Sequence, residues 1–353
     1  MISTERSLSP LATFLTGPIR WVRFQQAADV VVVSGRSCVL GSLRAQVAEE
    51  EAQALSSPPA DVRAKVGTIS QAQVNPSEQR LRWRLRFRGR NTVPLTALCD
   101  SMPLVGTADG HILRIDAAEE DIEGVNAPPQ SSKDRFVTLM KPCQTAIVGL
   151  SPHAAATDGG LLFSMDLQTG QWSLHAMTGT GFTAFASRES ALEIVTATRS
   201  GCVHHWDLRE PMNCRLKDLA ISGRSMVSKE AFPHPKGAIP LCLDVDDHRV
   251  VAGTDTGDIL EWDRRQATKL LRADHLHEGA VCDVRCLHST DGYPQIASCG
   301  TDGRVYFASA ENDLGPVTRG GPGADFATSL DINPVERLVG FGGDAGLLHV
   351  YAL

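Results

Sequence analysis

Few side chains in this 353-residue chain sit at spacings that could do covalent or metal chemistry. Cys282 and Cys286 lie close together, but on a stretch that reads as strand with no intervening turn, and no Cys-x-x-Cys occurs. His204-His205 and His275-Leu276-His277 are the close histidine pairs. A zinc site needs four convergent ligands, and strand alternation sends His204 and His205 to opposite faces. There is no Gly-x-Ser-x-Gly elbow to expose a nucleophile and no Gly-x-x-x-x-Gly-Lys loop to cradle a phosphate. Gly340-Phe341-Gly342-Gly343-Asp344 is glycine-rich, yet it precedes a strand rather than the helix N-terminus that phosphate cradles use. The reading is of a chain without enzyme activity, cofactor or metal.

One segment carries concentrated charge: Arg80-Leu81-Arg82-Trp83-Arg84-Leu85-Arg86-Phe87-Arg88-Gly89-Arg90. Strict alternation places Leu81, Trp83, Leu85 and Phe87 on one face of a strand and the arginines on the other. The plainest account is an outer strand with its apolar side inward and its polar side in water. Like charges on one face repel unless neutralised, so an acidic partner, or the chain's own Glu49-Glu50-Glu51, is expected opposite them. Arg82, Arg84 and Arg86 are the candidate partner contacts. RNA is a weaker expectation, because only Trp83 is nearby for base stacking.

The elements that must position these residues follow from composition and repetition. Hydrophobic residues make up 42% and charged residues 21%, which supports a sizeable core. Lys+Arg is 34 against Asp+Glu 41, a net charge of −7, which argues against a general nucleic-acid coat. The start, Met1-Ile2-Ser3-Thr4-Glu5-Arg6, lacks the pattern of a signal peptide, and no apolar run approaches the ~20 residues that cross a bilayer. Nine scattered cysteines then read as reduced thiols in an intracellular chain.

The same phrase recurs along the chain. A short apolar strand meets a small-residue turn with Gly, and a second strand ends in Trp-Asp or a substitute. Val195 to Asp207 and Val250 to Asp263 are the clearest copies, carrying Trp206-Asp207 and Trp262-Asp263. Weaker copies run Leu104 to Asp116, Ala156 to Asp166, Ile296 to Phe307 and Val339 to Tyr351. The turn glycines, Gly110, Gly160, Gly201, Gly257, Gly303 and Gly346, are 41 to 56 residues apart. That period suits four short strands per unit, and Asp-Gly is a strong hairpin signal.

These copies resemble WD repeats, which build β-propellers. In that family's hydrogen-bond relay a His before the first strand joins a Ser on the second and a turn Asp. The resemblance assigns those places to His277, Ser298 and Asp302, with Ala308 where the family has Trp. The fold expected is all-β, a seven-bladed WD-repeat β-propeller, in a single domain over 1–353. Its inner strands are predicted at Ile19 to Phe24, Val93 to Leu98, Thr145 to Leu150, Phe182 to Ala186, Ile239 to Val245, Val281 to Leu287 and Phe326 to Ile332. The last unit runs out of chain after three strands, so Leu11 to Leu15 is expected to supply the missing outer strand and close the ring. Residues 45–79, 117–135 and 221–237, punctuated by Pro, Ser and charge, read as surface insertions: candidate partner contacts, or solvated linkers that touch nothing.

Within the propellers, Gly201 to Arg209, Leu216 to Gly223, Ala238 to Arg265, Leu271 to Gly303 and Thr328-Ser329-Leu330-Asp331 with Leu338-Val339-Gly340 resemble the small seven-bladed nucleoporins of the Y-shaped outer-ring complex of the nuclear pore. Phe14 to Trp21 suits the closing strand of that family. The resemblance implies a non-catalytic scaffold in the nucleus, at the nuclear pore, docking onto helical-solenoid nucleoporins in a large hetero-oligomer. Membrane insertion and nucleic acid are not expected. The competing expectation is a substrate or cargo receptor, such as a ubiquitin-ligase adaptor, acting in the cytoplasm.

Overall fold

The second strand of each repeat shows how the chain packs. Val31 to Val33, Ala154 to Ala156 and Val250 to Ala252 are buried at every position, with no alternation. A strand loses its alternation when it is covered on both faces, which happens when whole sheets stack against one another. The outer strand Leu270–His275 by contrast alternates between partly buried and exposed positions. In a computed structural model of the chain, described for residues 20–24, 29–45, 81–116, 135–188, 192–209, 231–232, 237–264, 270–287, 296–308, 313–318, 327–333, 338–343 and 348–352, these strands form seven antiparallel sheets.

Six of the sheets have four strands and the last, Ala327–Asn333 with Leu338–Gly343 and Leu348–Ala352, has three. Each sheet is a meander in which sequence order equals spatial order. The innermost strands, in chain order, are Trp21–Phe24, Leu95–Leu98, Ile147–Leu150, Phe182–Arg188, Pro240–Val245, Val281–Cys286 and Ala327–Asn333. All seven fall on the segments expected from the repeats. Leu11 to Leu15 lies outside the described residues, as do most of 45–79, 117–134 of the second insertion and much of 221–237.

Six apolar clusters fill the seams between successive sheets, from the first to the seventh. The seams are tight enough to require glycine. A Cβ on Gly149 would lie 2.0 Å from that of Phe185, and one on Gly253 would lie 2.4 Å from a Val281 methyl. The first and seventh sheets also meet. The Phe24 ring lies against Gly340, the Val22 amide donates to Ser329 Oγ at 3.0 Å, and the Phe24 amide donates to Asp331 Oδ2 at 2.6 Å.

The turns between second and third strands repeat one device. Buried Thr107, Thr157, Thr198 and Thr254 each accept, through Oγ1, the backbone N–H four residues on: His111 (2.9 Å), Leu161 (3.0 Å), Cys202 (3.2 Å) and Asp258 (3.0 Å). Gly110, Gly160, Gly201 and Gly257 take positive φ in these turns, as Gly303 does in the sixth sheet.

The arginine-rich segment is the outer strand of the first sheet, Leu81–Arg90 paired with Ser37–Ala45. The backbone pairing along it is not continuous. Leu40 pairs with Phe87 and Gly41 with Leu85, so Arg86 is skipped and the register shifts by one. A bulge of this kind reverses the phase of a strand, so the segments on either side of Arg86 pair in opposite phase. Arg82 is the register partner of Arg44 and Arg84 that of Ser42.

Candidate functional site

Each innermost strand after the first opens with an irregularity of the same kind. The register skips one residue in every case: Thr96, Val148, Thr183, Leu241, Cys282 and Thr328. A bulge re-aims the extra side chain, and here all six residues line one cavity of about 450 Å³ together with Arg20 and Trp21 of the first sheet. Two of the hydroxyls are satisfied by backbone: Thr183 Oγ1 donates to Pro240 O at 2.7 Å and Thr328 Oγ1 to Gly342 O at 3.2 Å. Thr96 Oγ1 is buried without a protein partner among the described residues. The repeat reading located these strands but not their bulges, whose residues (Thr, Val, Leu and Cys) share no side-chain type.

Below the bulges, period two continues along the inner strands and puts charge on the axial face. Asp283 and Arg285 alternate on one strand, Ser329 and Asp331 on the next, and Asp244 follows Cys242. Arg23, 8% exposed, donates through Nη1 to Asp283 Oδ2 (3.1 Å), Leu330 O (3.2 Å) and Val22 O (2.7 Å), and through Nε to Asp100 Oδ1 (2.5 Å). Arg285 Nε lies 3.1 Å from Asp331 Oδ1, and its Nη atoms reach Asp244 (3.8 Å) and Asp100 (3.5 Å). Four carboxylates therefore surround two guanidiniums. Burial pushes Asp244 up to about 6 and also raises Asp331, against the pull of Arg285. Burial works against the charge of Arg285 too, but the surrounding carboxylates hold its pKa well above the ordinary value. Arg23 and Asp283 also line the cavity.

The residues assigned by the repeat pattern are brought together in parts. His277 Nδ1 lies 3.0 Å from Asp302 Oδ1 and Nε2 lies 2.9 Å from Ser298 Oγ. In the neutral ring the Nδ1–H donates to the carboxylate and Nε2 accepts the serine hydroxyl. This has the connectivity of a hydrolytic relay, but His277 is 0% and Ser298 1% exposed, so no substrate reaches the hydroxyl. The Tyr306 ring meets His277 edge-on, with ring centroids 4.7 Å apart. The other half of the relay sits in the fourth sheet, where Trp206 Nε1 donates to Thr196 Oγ1 at 2.8 Å. Trp262 is 0% exposed in the fifth sheet. Asp207 ends its strand by gripping Arg209, whose hydrogen bonds hold its carboxyl at about 2. Asp263 pairs in register with Arg249. Trp206, Trp262, His277, Ser298 and Asp302 thus pack or bond within the interior.

Burial depresses the His277 pKa below its ordinary 6.5, with Asp302 opposing in part. The neutral ring is the folded form, so its contribution is whole above about 6.5 and is lost as pH falls below that value. The stability difference between the protein and His277→Gln should therefore shrink from pH 7 to pH 5, by up to about 1.4 kcal/mol per pH unit. Denaturant unfolding at several pH values checks this. A difference that stays flat would mean that His277 takes up its proton over the same pH range folded and unfolded, with no depression by burial.

Among the described residues, no group of three or more His, Cys, Asp or Glu side chains is placed to hold a metal ion. His204 is buried against Trp206, with ring centroids 5.6 Å apart, while His205 turns toward Glu193. Arg82 and Arg84 are placed by backbone register, and Arg86 is the residue that register skips, on the outer strand, three strands from the inner strand of the same sheet.

The family described as Nucleolar protein 10-like, N-terminal domain, matches residues 149–313. A search of curated proteins gives no match. Among solved structures, the WD40 β-propeller domain of Doa1 is similar at TM-score 0.62 and 16% identity, covering 99% of this chain and 95% of that one. With antiparallel meander sheets stacked one on the next among the described residues, the chain has the WD40 β-propeller fold.

Proposed function

We propose that this protein is a non-catalytic, seven-bladed closed propeller that serves as a docking platform for other proteins in a nuclear assembly. The observation that carries this is the axial cavity built on rigid strands, with bulged side chains above a buried ion network. A surface that exists before binding loses little entropy when a partner seats on it. The match over 149–313 favours a nucleolar assembly. The sequence resemblance to outer-ring nucleoporins favours the nuclear pore as a second reading, with helical-solenoid partners. Purification of the endogenously tagged protein, with imaging of the tag, tests both. A discrete protein set with nucleolar signal supports the first reading and rim signal the second. Recovery with a cytoplasmic ubiquitin ligase would replace both with an adaptor.

Within this reading, Arg82, Arg84 and Arg86 on the outer strand of the first sheet contact an acidic partner surface. Arginine's planar fork suits carboxylates, and such contacts chiefly set encounter rate and orientation. Reversing all three to Glu should lower partner recovery about tenfold at low salt while the circular dichroism spectrum is retained. Unchanged recovery from the folded variant would reduce the strand to a solvated edge.

A further inference from the structure

Six of the ring's seams are apolar clusters, and apolar packing is non-directional. Any sheet of this repeat offers roughly the same face to a neighbour, so apolar seams alone do not specify that the first sheet must meet the seventh. The axial charges do. Arg23 belongs to the first sheet, Asp100 to the turn after the second sheet's inner strand, Asp244 to the fifth, Asp283 and Arg285 to the sixth, and Ser329 and Asp331 to the seventh. From one side chain, Arg23 reaches Asp100, Asp283 and Leu330 O. Asp283 Oδ2 in turn accepts Ser329 Oγ–H and the Leu330 N–H, both at 3.1 Å. Asp331 accepts the Phe24 amide with one oxygen and meets Arg285 with the other.

We infer that this network is a clasp that closes the ring from its axis, fixing the first sheet against the sixth and seventh. Buried ion pairs bring little net stability, because desolvation offsets attraction. What they add is direction: a guanidinium satisfied by groups on three other sheets tolerates one arrangement of those sheets. The third and fourth sheets contribute none of the named residues, so the clasp acts on one arc of the ring. It also acts at the end of the chain, where the seventh sheet has three strands among the described residues. Salt should leave the Arg23–Asp283 and Arg285–Asp331 pairs nearly untouched, since buried pairs are weakly screened, and should weaken the pairs to the half-exposed Asp100 more.

This inference rests on the closed-ring reading above, and the test separates the two. Amide hydrogen exchange is followed strand by strand in the full chain and in Arg23→Met, which keeps the unbranched stem but neither the guanidinium nor its charge. Expected is a rise of at least about tenfold in exchange at Trp21–Phe24 and Ala327–Asn333, with Ile147–Leu150 and Phe182–Arg188 unchanged. Should Arg23→Met fail to fold, Arg23→Lys, which keeps a charge without the fork, is expected to give the same pattern more weakly. An equal rise in all sheets, or none in the first and seventh, overturns the clasp and leaves the ring intact. Fast exchange at Trp21–Phe24 in the unmodified protein overturns ring and clasp together.

Discussion

Replacing Trp262 by Ala is expected to cost about 3–5 kcal/mol of stability, the range for emptying a large buried aromatic site. Trp262 is fully buried in the seam between the fourth and fifth sheets, beside Ala186, Val195, Val250 and Leu260. Its backbone is held on both sides, by Val250 and by Leu270, so the strand cannot slide to refill the space. Small neighbours such as Ala184, Ala197 and Ala252 have no rotamers with which to follow the retreating wall. Urea unfolding followed by tryptophan fluorescence and circular dichroism measures the loss. A cost below about 1 kcal/mol would mean that the seam collapses freely, contrary to the rigid packing described. Trp206→Phe should be milder, because it retains most of the ring and loses chiefly the bond to Thr196 Oγ1.

Asp283→Ala should be comparably damaging, about 3–5 kcal/mol, for an electrostatic reason. One carboxylate oxygen of Asp283 receives Arg23 Nη1, Ser329 Oγ and the Leu330 amide, and the other receives the Val284 amide. Removing it leaves a cation and several donors in a site that water hardly reaches. Asp283→Asn retains an oxygen acceptor and should lose roughly half as much. The comparison is made by thermal and denaturant unfolding of both variants. Equal losses would place the effect in shape rather than charge.

The sequence made the strands legible and left the axis dark, and the reason is physical. Turn glycines such as Gly201 and Gly257 announce themselves because few other residues tolerate their positive φ. The buried second strands announce themselves by continuous apolar runs such as Val250-Val251-Ala252. His277, Ser298 and Asp302 were legible only through the resemblance to WD repeats, whose relay places they match. Arg23, Asp100, Asp283 and Asp331 meet across separations of up to about three hundred residues, and no local pattern marks one charged inner-strand residue as the partner of another. The bulge at Arg86 was hidden for a related reason: the alternation of the segment is real in sequence, but pairing with Gly41 breaks its phase.

One substitution in the repeating turn has a wider meaning. Four sheets place Thr at the end of the second strand, and the sixth places Gly300 there. A Cβ at position 300 would lie 2.6 Å from His277 Nδ1, so the threonine turn and the imidazole relay compete for one volume. Neither can be exchanged for the other in a single step. Gly300→Thr alone collides with the ring, and loss of His277 alone leaves Ser298 and Asp302 facing a void. Exchanging one device for the other in this sheet therefore calls for paired changes at positions 300 and 277.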